Sequence, residues 1–187
     1  MQQFEVIKAT ALCLGRMIET NVSEAIGHKI NVLYEYSPDA RRGSGSVSIH
    51  FVGLAPGANT EQREYEHNGG QEQFRAPPMI FQARFLVCAW AKPPEDQALL
   101  GAVMRTFLDH PMLDYDANEE SVVAYSTAPS VHSRMLGLEE HSLLATANQM
   151  PIAPAISYEI DLRLRSQKVT TIKRVRERVV DFRNING

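Results

Sequence analysis

The sequence has few of the side chains on which disulfide or thiol chemistry depends. Its 187 residues include only two cysteines, Cys13 and Cys88, which stand far apart in apolar stretches. A reactive thiolate needs a cationic and partly exposed setting, which neither neighbourhood provides. We therefore expect two buried thiols in a reducing compartment, and a bridge between them is the alternative that the sequence leaves open.

Motifs for catalysis, cofactors and metals are also missing. The chain has no GxSxG, GxxxxGK[ST] or CxxC pattern, no GxGxxG after a strand, and its six histidines form no HxH or HxxxH pair. The glycines of "GSGS", residues 43–46, are followed by no helix that could hold a phosphate. The sequence thus predicts no cofactor, no metal site and no catalytic residue.

Charge and hydropathy set limits on the partners of the chain. The formal net charge is −3, which gives no overall attraction to nucleic acid or to an anionic membrane. The most apolar stretch, "MIFQARFLVCAWA", contains Arg84 and is shorter than the roughly 20 residues that span a bilayer. The N-terminus lacks the pattern of a signal peptide. We expect no membrane or nucleic-acid partner, and a protein that folds in the cytoplasm.

The apolar periodicity alternates between helical and strand-like spacing, which is typical of an α/β protein. We predict a single α/β (α+β) domain over residues 1–166, with a mixed or antiparallel sheet packed against two to three helices. The helix after "KPPED" carries a wide apolar stripe to pack on the sheet. The predicted elements are a helix ending near Gly27, strands Ile30–Tyr36 and Ser46–Leu54 joined by a loop or hairpin, strand Met79–Ala91, the helix after "KPPED", strand Ser121–Thr127, helix Leu136–Asn148 and strand Ile156–Leu164.

Between two of these strands, residues 56–77 read "PGANTEQREYEHNGGQEQFRAP" and carry scarcely an apolar side chain. Such a segment contributes little to a core, so we expect a long, mobile surface loop. It is either disordered or ordered by a partner. In the second case its candidate contact residues are Arg63, Tyr65, Phe74 and Arg75.

The last residues, 167–187, form a basic arm. Its apolar positions fit a helix and its β-branched residues fit a strand, so the sequence leaves its conformation open. One hypothesis is a solvated terminal element, and the other is an arm that docks on an acidic neighbour, for instance by adding a strand to a sheet. Its basic residues are Lys168, Lys173, Arg174, Arg176, Arg178 and Arg183.

An apolar helical stripe runs into Asp109, His110 and Pro111 in "RTFLDHPML". Proline disfavours helical geometry at the residue before it, so the helix should end here and His110 should cap it. In the alternative, Asp109 and His110 gather with Glu139 and Glu140 in the pocket of a small enzyme or ligand-binding protein. A nucleic-acid-binding arm is a weaker rival, because Phe182 is its one aromatic residue.

Two stretches resemble a known family when they are taken in order. "RFLVCAWAKPPEDQALLGAVMRTFLDHPMLD" and "GLEEHSLLATANQMPIAPAISYEIDLRL" resemble the tail-cap (tail terminator) proteins of phage-tail-like contractile injection systems. The resemblance covers much of residues 80–165 and rests on structural elements: a strand ending in a tryptophan patch, a helix with "LLG", the "DHPML" element, a "LEE" helix and the strand "SYEIDLRL".

The resemblance implies an architectural function without catalysis. Several copies, six by expectation, would form a ring that closes the distal end of the inner tube and its contractile sheath, stops growth and anchors the sheath. The implied partners are the chain itself, the sheath protein and the tube protein. The chain would be cytoplasmic during assembly and could leave the cell as part of the particle.

Overall fold

The computed structural model describes residues 6–34, 45–57, 64–68, 71–75, 77–113, 131–134, 138–147, 153–164 and 169–172. The chain divides into two compact units, of which the first holds residues 1–59 and 79–164 and the second holds residues 60–78 and 165–187. The elements are α1 (Val6–Ile26), β1 (Asn31–Leu33), β2 (Ser46–Pro56), β3 (Glu64–Asn68), β4 (Gln71–Arg75), β5 (Met79–Trp90), α2 (Glu95–Asp109), β6 (Val131–Arg134), α3 (Leu138–Ala147), β7 (Ala155–Leu164) and β8 (Val169–Ile172).

The first unit is built on a five-stranded mixed sheet with the strand order β1-β2-β5-β7-β6. The pair β1–β2 is parallel, and the other three pairs are antiparallel. With its three helices, this mixed sheet confirms the predicted α+β class. A hairpin between the first two strands was one of the two predicted connections, and it is wrong, because parallel neighbours need a crossover.

Helices α1 and α2 pack together and cover one face of this sheet. The apolar residues of α1 recur every three or four positions, so Leu14, Ile18 and Val22 form one fully buried stripe. The helix ends at Ile26, and Gly27 follows in the left-handed conformation with φ of 76°, which glycine adopts without steric cost. Its N–H donates to the Ser23 carbonyl, so the predicted stop near Gly27 has a capping geometry.

The central strand β5 is buried on both faces over its second half, as its continuous apolar pattern predicts. Phe85 and Val87 face the α1–α2 core, whereas Leu86, Cys88 and Trp90 belong to a second, smaller cluster on the other face. Cys13 and Cys88 are both buried, and neither forms a disulfide. The prediction of two buried thiols is confirmed, and the disulfide alternative is wrong.

The second unit corrects the prediction of a loop over residues 56–77. Strands β3 and β4 pair in an antiparallel register within this segment, and β4 also pairs with β8 to give a three-stranded sheet. Backbone hydrogen bonds build this sheet, so a polar composition does not prevent it. The sequence contains a usable signal, because Gly69-Gly70 separates the strands and is typical of two-residue hairpin turns.

The basic arm begins as a strand, because β8 covers its residues 169–172. Residues 173–187 lie outside the described residues, as does the predicted strand Ser121–Thr127. Strand β6 was not predicted from the sequence. Among the described residues, no helix combines the length and the apolarity that crossing a membrane would need.

Candidate functional site

The end of α2 is joined to the edge of the sheet through the backbone. The helix ends at Asp109, and the N–H of the capping residue His110 donates to the Thr106 carbonyl over 2.9 Å. The next carbonyl, that of Pro111, accepts a 2.7 Å hydrogen bond from the N–H of Val131 in β6. Because Pro111 cannot extend the helix, this corner turns the chain out of α2 and ties it to the edge strand.

A groove lies beside this corner, between the last turns of α2 and strands β6 and β7, with a volume of about 790 Å³. Apolar side chains form most of its wall, and Arg105, Asp109, His132 and Ser133 supply the polar groups. The apolar lining residues are Met104, Phe107, Leu108, Pro111, Val131, Ile156 and Tyr158. We call this feature the α2–β6 groove.

The wide apolar stripe predicted for α2 is only half buried. Leu99, Val103 and Phe107 pack into the core, and the Phe107 ring lies 4.5 Å from the Tyr158 ring. In the parallel row, Leu100 is half-buried against the core, whereas Met104 and Leu108 are exposed, Leu108 with 80% of its surface free. The prediction that the whole stripe packs on the sheet is therefore wrong, because one sheet face covers only one row of the helix. The width of the apolar stripe is visible in the sequence, but the structure is needed to show which row stays exposed.

The structure does not gather the residues of the alternative enzyme pocket. Asp109 lines the α2–β6 groove, but His110 is absent from its described lining residues. Glu140 extends from α3 on the other face of the sheet, where it contacts Arg84. Within the described ranges, no three His, Cys, Asp or Glu side chains come together as a metal site.

On the α3 face, Arg84 of β5 holds two carboxylates. Its Nε and one terminal nitrogen donate to Glu159 Oε1 over 3.0 and 2.7 Å, and its other terminal nitrogen contacts Glu140 Oε1 at 3.3 Å. These three side chains are largely shielded from solvent. The cluster thereby connects β5, β7 and α3 by charge-assisted hydrogen bonds.

A second polar cluster centres on the buried hydroxyl of Ser48 in β2. The Trp90 indole N–H donates to Ser48 Oγ over 2.7 Å, and His50 Nε2 lies 2.8 Å from the same oxygen. Burial raises the pKa of the Cys88 thiol to about 12, although a hydrogen bond with Ser48 offsets part of the shift. A serine hydroxyl packed under Trp90 is closed to a substrate, so this Ser–His pair supports the sheet and not a reaction.

Burial lowers the pKa of His50, and this makes the stability of the fold depend on pH. The unfolded state binds a proton as the pH falls through about 6.5, whereas the folded state resists protonation until lower pH. We expect the stability that the neutral, buried His50 contributes to be fully present above about pH 6.5 and to be lost as the pH falls below it. In urea unfolding, the wild type should lose more stability than His50→Gln between about pH 8 and about pH 5.5. Equal losses in both proteins would contradict the prediction.

The predicted interface residues fall mostly in or near the second unit. Tyr65 of β3 is the register partner of Phe74 of β4, and Arg75 is that of Glu64. The other predicted contact residues lie outside the described residues: Arg63, Lys168, Lys173, Arg174, Arg176, Arg178 and Arg183. The structure thus brings Tyr65, Phe74 and Arg75 into one hairpin.

The fold can now be compared with known proteins. The family described as the Pvc16 N-terminal domain matches residues 10–177. The chain belongs to this family. The match spans both structural units, and it confirms the resemblance to tail-cap proteins of contractile injection systems. No curated protein sequence matches the chain.

Two solved structures are similar to this Pvc16 N-terminal domain chain. One is the sheath/tube terminator, in the extended state, of an extracellular contractile injection system named PVC, with a TM-score of 0.63, 11% identity, and coverage of 100% of this chain and 66% of that one. The other is the anti-feeding prophage cap, described as the AFP tube terminating cap, with a TM-score of 0.62, 11% identity, and coverage of 91% and 59%. At this identity the likeness concerns the fold, and this chain spans less than two thirds of either relative.

Proposed function

We propose that this chain is a structural cap subunit that closes the distal end of the inner tube and contractile sheath of a phage-tail-like injection system. The observation that carries the proposal is the family match over residues 10–177. The fold of a sheath/tube terminator and of a tube-terminating cap supports it. The chain performs no reaction in this role: it stops growth of the tube and anchors the last layer of sheath.

Several copies, six by expectation, act together as a ring on the end of the tube. A closed ring uses the same pair of complementary surfaces at every contact, so one short chain can cover a symmetric tube end. The particle assembles in the cytoplasm, and the cap leaves the cell with it when the particle is released. The partners in this proposal are further copies of the chain, the sheath protein and the tube protein.

The second unit supplies two of the proposed contacts. Strands β3 and β4 belong to residues 56–77, which we assign to contact with the adjacent subunit or with the tube end. The arm that begins with β8 is rich in lysine and arginine, and we assign it to an acidic surface or a free strand edge of the sheath. Asp109, His110 and Pro111 act as the structural end of α2 and have no catalytic role.

The test is the length distribution of tubes, measured by negative-stain electron microscopy in cells that lack this gene and in the same cells after complementation. We expect overlong, ragged or sheathless tubes in the deletion and restored length after complementation. Tubes of normal length and normal sheath in the deletion strain would contradict the cap function.

Charge-reversal variants expressed in the same deletion cells test the function of the basic arm independently of the rest of the cap. Complementation with Arg174→Glu/Arg176→Glu should leave sheathless or loosely sheathed tubes, because the reversed charges repel an acidic partner. A matched double reversal at two exposed lysines of the first unit, Lys8→Glu/Lys92→Glu, should restore normal particles. Normal sheaths with the arm variant would rule out the arm as the anchor.

A further inference from the structure

The five-stranded sheet has exposed apolar or aromatic side chains near both of its edges. At the β6 edge lies the α2–β6 groove, with the exposed Met104 and Leu108. At the opposite edge β1 is the last strand, and the exposed Tyr34 follows it directly. We propose that the α2–β6 groove of one copy receives the β1 edge of a second copy of this chain, so that copies associate head to tail.

The groove is incomplete in the single chain. Leu108 is 80% exposed although it continues a helical row, and Met104 one turn before it is also exposed. Apolar side chains grouped around a concave surface are typical of a binding site, in contrast to scattered exposed leucines. A surface of this kind gains stability when a second apolar surface removes it from water.

A buried polar atom gives independent support for an occupant. Tyr158 lines the groove and is almost fully buried, yet its hydroxyl has no hydrogen-bond partner among the residues that the structure describes. Burial raises the pKa of Tyr158, so the hydroxyl keeps its proton and can donate it to an acceptor. Such groups are normally satisfied, so a docked surface that displaces the covering side chains and brings an acceptor oxygen would complete the site.

The β1 edge offers the matching chemistry. Tyr34 lies over Gly15 of α1, where an added Cβ would collide with its ring. Leu12 lies one helical turn before Gly15 on the same side of α1 and is exposed as well. The surface therefore presents a leucine and a phenol, and the charges of Arg16 and Glu19 lie beside the phenol. In the described part of the sheet, β1 is the last strand at this edge.

The placement of the two surfaces determines the kind of assembly. The two surfaces lie at opposite edges of one sheet. When the groove of one copy binds the β1 edge of a second copy, the first copy still has its own β1 edge free and the second still has its own groove free. This is a heterologous contact, which closes into a ring when the rotation between copies permits it. The inference rests on the proposed cap function and deepens it by naming the surfaces between subunits.

Cysteine pairs in the full chain test the contact directly. We expect Tyr34→Cys/Leu108→Cys to form disulfide-linked ladders up to a closed ring on oxidation, both in purified protein and in particles, because Cys13 and Cys88 are buried. The matched pair Tyr34→Cys/Leu143→Cys should give none, since Leu143 is a leucine of α3 that is 70% exposed and lies outside the groove. Any of three results would overturn the proposal. These are the absence of a ladder with the first pair, disulfide-linked dimers from Leu108→Cys by itself, and a disulfide link to another particle protein.

A charge in the groove tests its importance for assembly. Leu108→Glu should lower the number of capped tubes about tenfold or more, whereas Leu143→Glu should cap normally. Neither should change the thermal unfolding midpoint, because the two side chains are 80% and 70% exposed. Tyr158→Phe in the otherwise wild-type chain should fold normally and lower the number of capped tubes.

Normal capping by Leu108→Glu would overturn the assigned contact while leaving the cap function intact. Failure of the cap function itself is a different result, namely normal tube length in the deletion strain. The ladder in purified protein is scored independently of that result.

Discussion

Replacing Leu14 with alanine is expected to lower the free energy of unfolding by about 3 kcal/mol, the cost of removing a leucine side chain from a packed core. Leu14 has no exposed surface and belongs to the core between α1 and the sheet. Its removal leaves a cavity, which the rigid sheet beneath the helix cannot close. Urea unfolding of wild type and variant measures the loss as a shift in midpoint with an unchanged slope.

Leu12→Ala is the matched control for this prediction. It removes the same atoms from the same helix two residues earlier, but Leu12 is 36% exposed. We expect a loss below about 1 kcal/mol, because no closed cavity remains. Equal losses for the two variants would show that the burial of α1 differs from the described packing.

Replacing Arg84 with methionine is expected to cost about 1–2 kcal/mol, because it removes three charge-assisted hydrogen bonds between partly shielded side chains. The long methionine side chain keeps most of the packing along β5. Glu159 loses both of its donors from Arg84, and Glu140 loses its contact at 3.3 Å. The loss should fall strongly in Arg84→Met/Glu140→Gln/Glu159→Gln, in which the two carboxylates that accept from Arg84 are neutral as well.

Arg105→Met is the matched control for the charge cluster. Arg105 and Asp109 form a 3.4 Å ion pair one helical turn apart, and both side chains are mainly in water. Exposed pairs of this kind contribute about 0.3–0.5 kcal/mol, so the variant should unfold almost as the wild type does. A similar loss in Arg84→Met and Arg105→Met would contradict the assigned burial of the Arg84 cluster.

Much of the first unit could be predicted from the periodicity of its residues. The 3.6-residue period of α1 and the uninterrupted apolar pattern of β5 predict their conformation and their partners. Both periodic patterns are local in sequence, and the apolar residues that form them are the ones that become buried. Strand β6 has only four residues, so no period could be recognised, and its pairing with β7 and with Pro111 places it in the sheet.

The candidate site could be predicted only in part. The "DHPML" stretch draws attention to the end of α2, because proline is a strong local stop signal. The groove beside it depends on Tyr158, which is distant in sequence and reaches this place through β7. No local pattern predicts which apolar residues of α2 stay exposed, since that depends on how much of the helix one sheet face can cover.

The sequence by itself determined the class of the protein, the character of its long elements and the family to which it belongs. Each of these depends on residue types at short spacing, and this pattern is present in the chain before it folds. The tertiary structure decided the parallel pairing of β1 with β2, the sheet formed by β3, β4 and β8, and the α2–β6 groove. These features arise from contacts between residues far apart in the chain, because backbone pairing and shared burial are settled only when the elements meet.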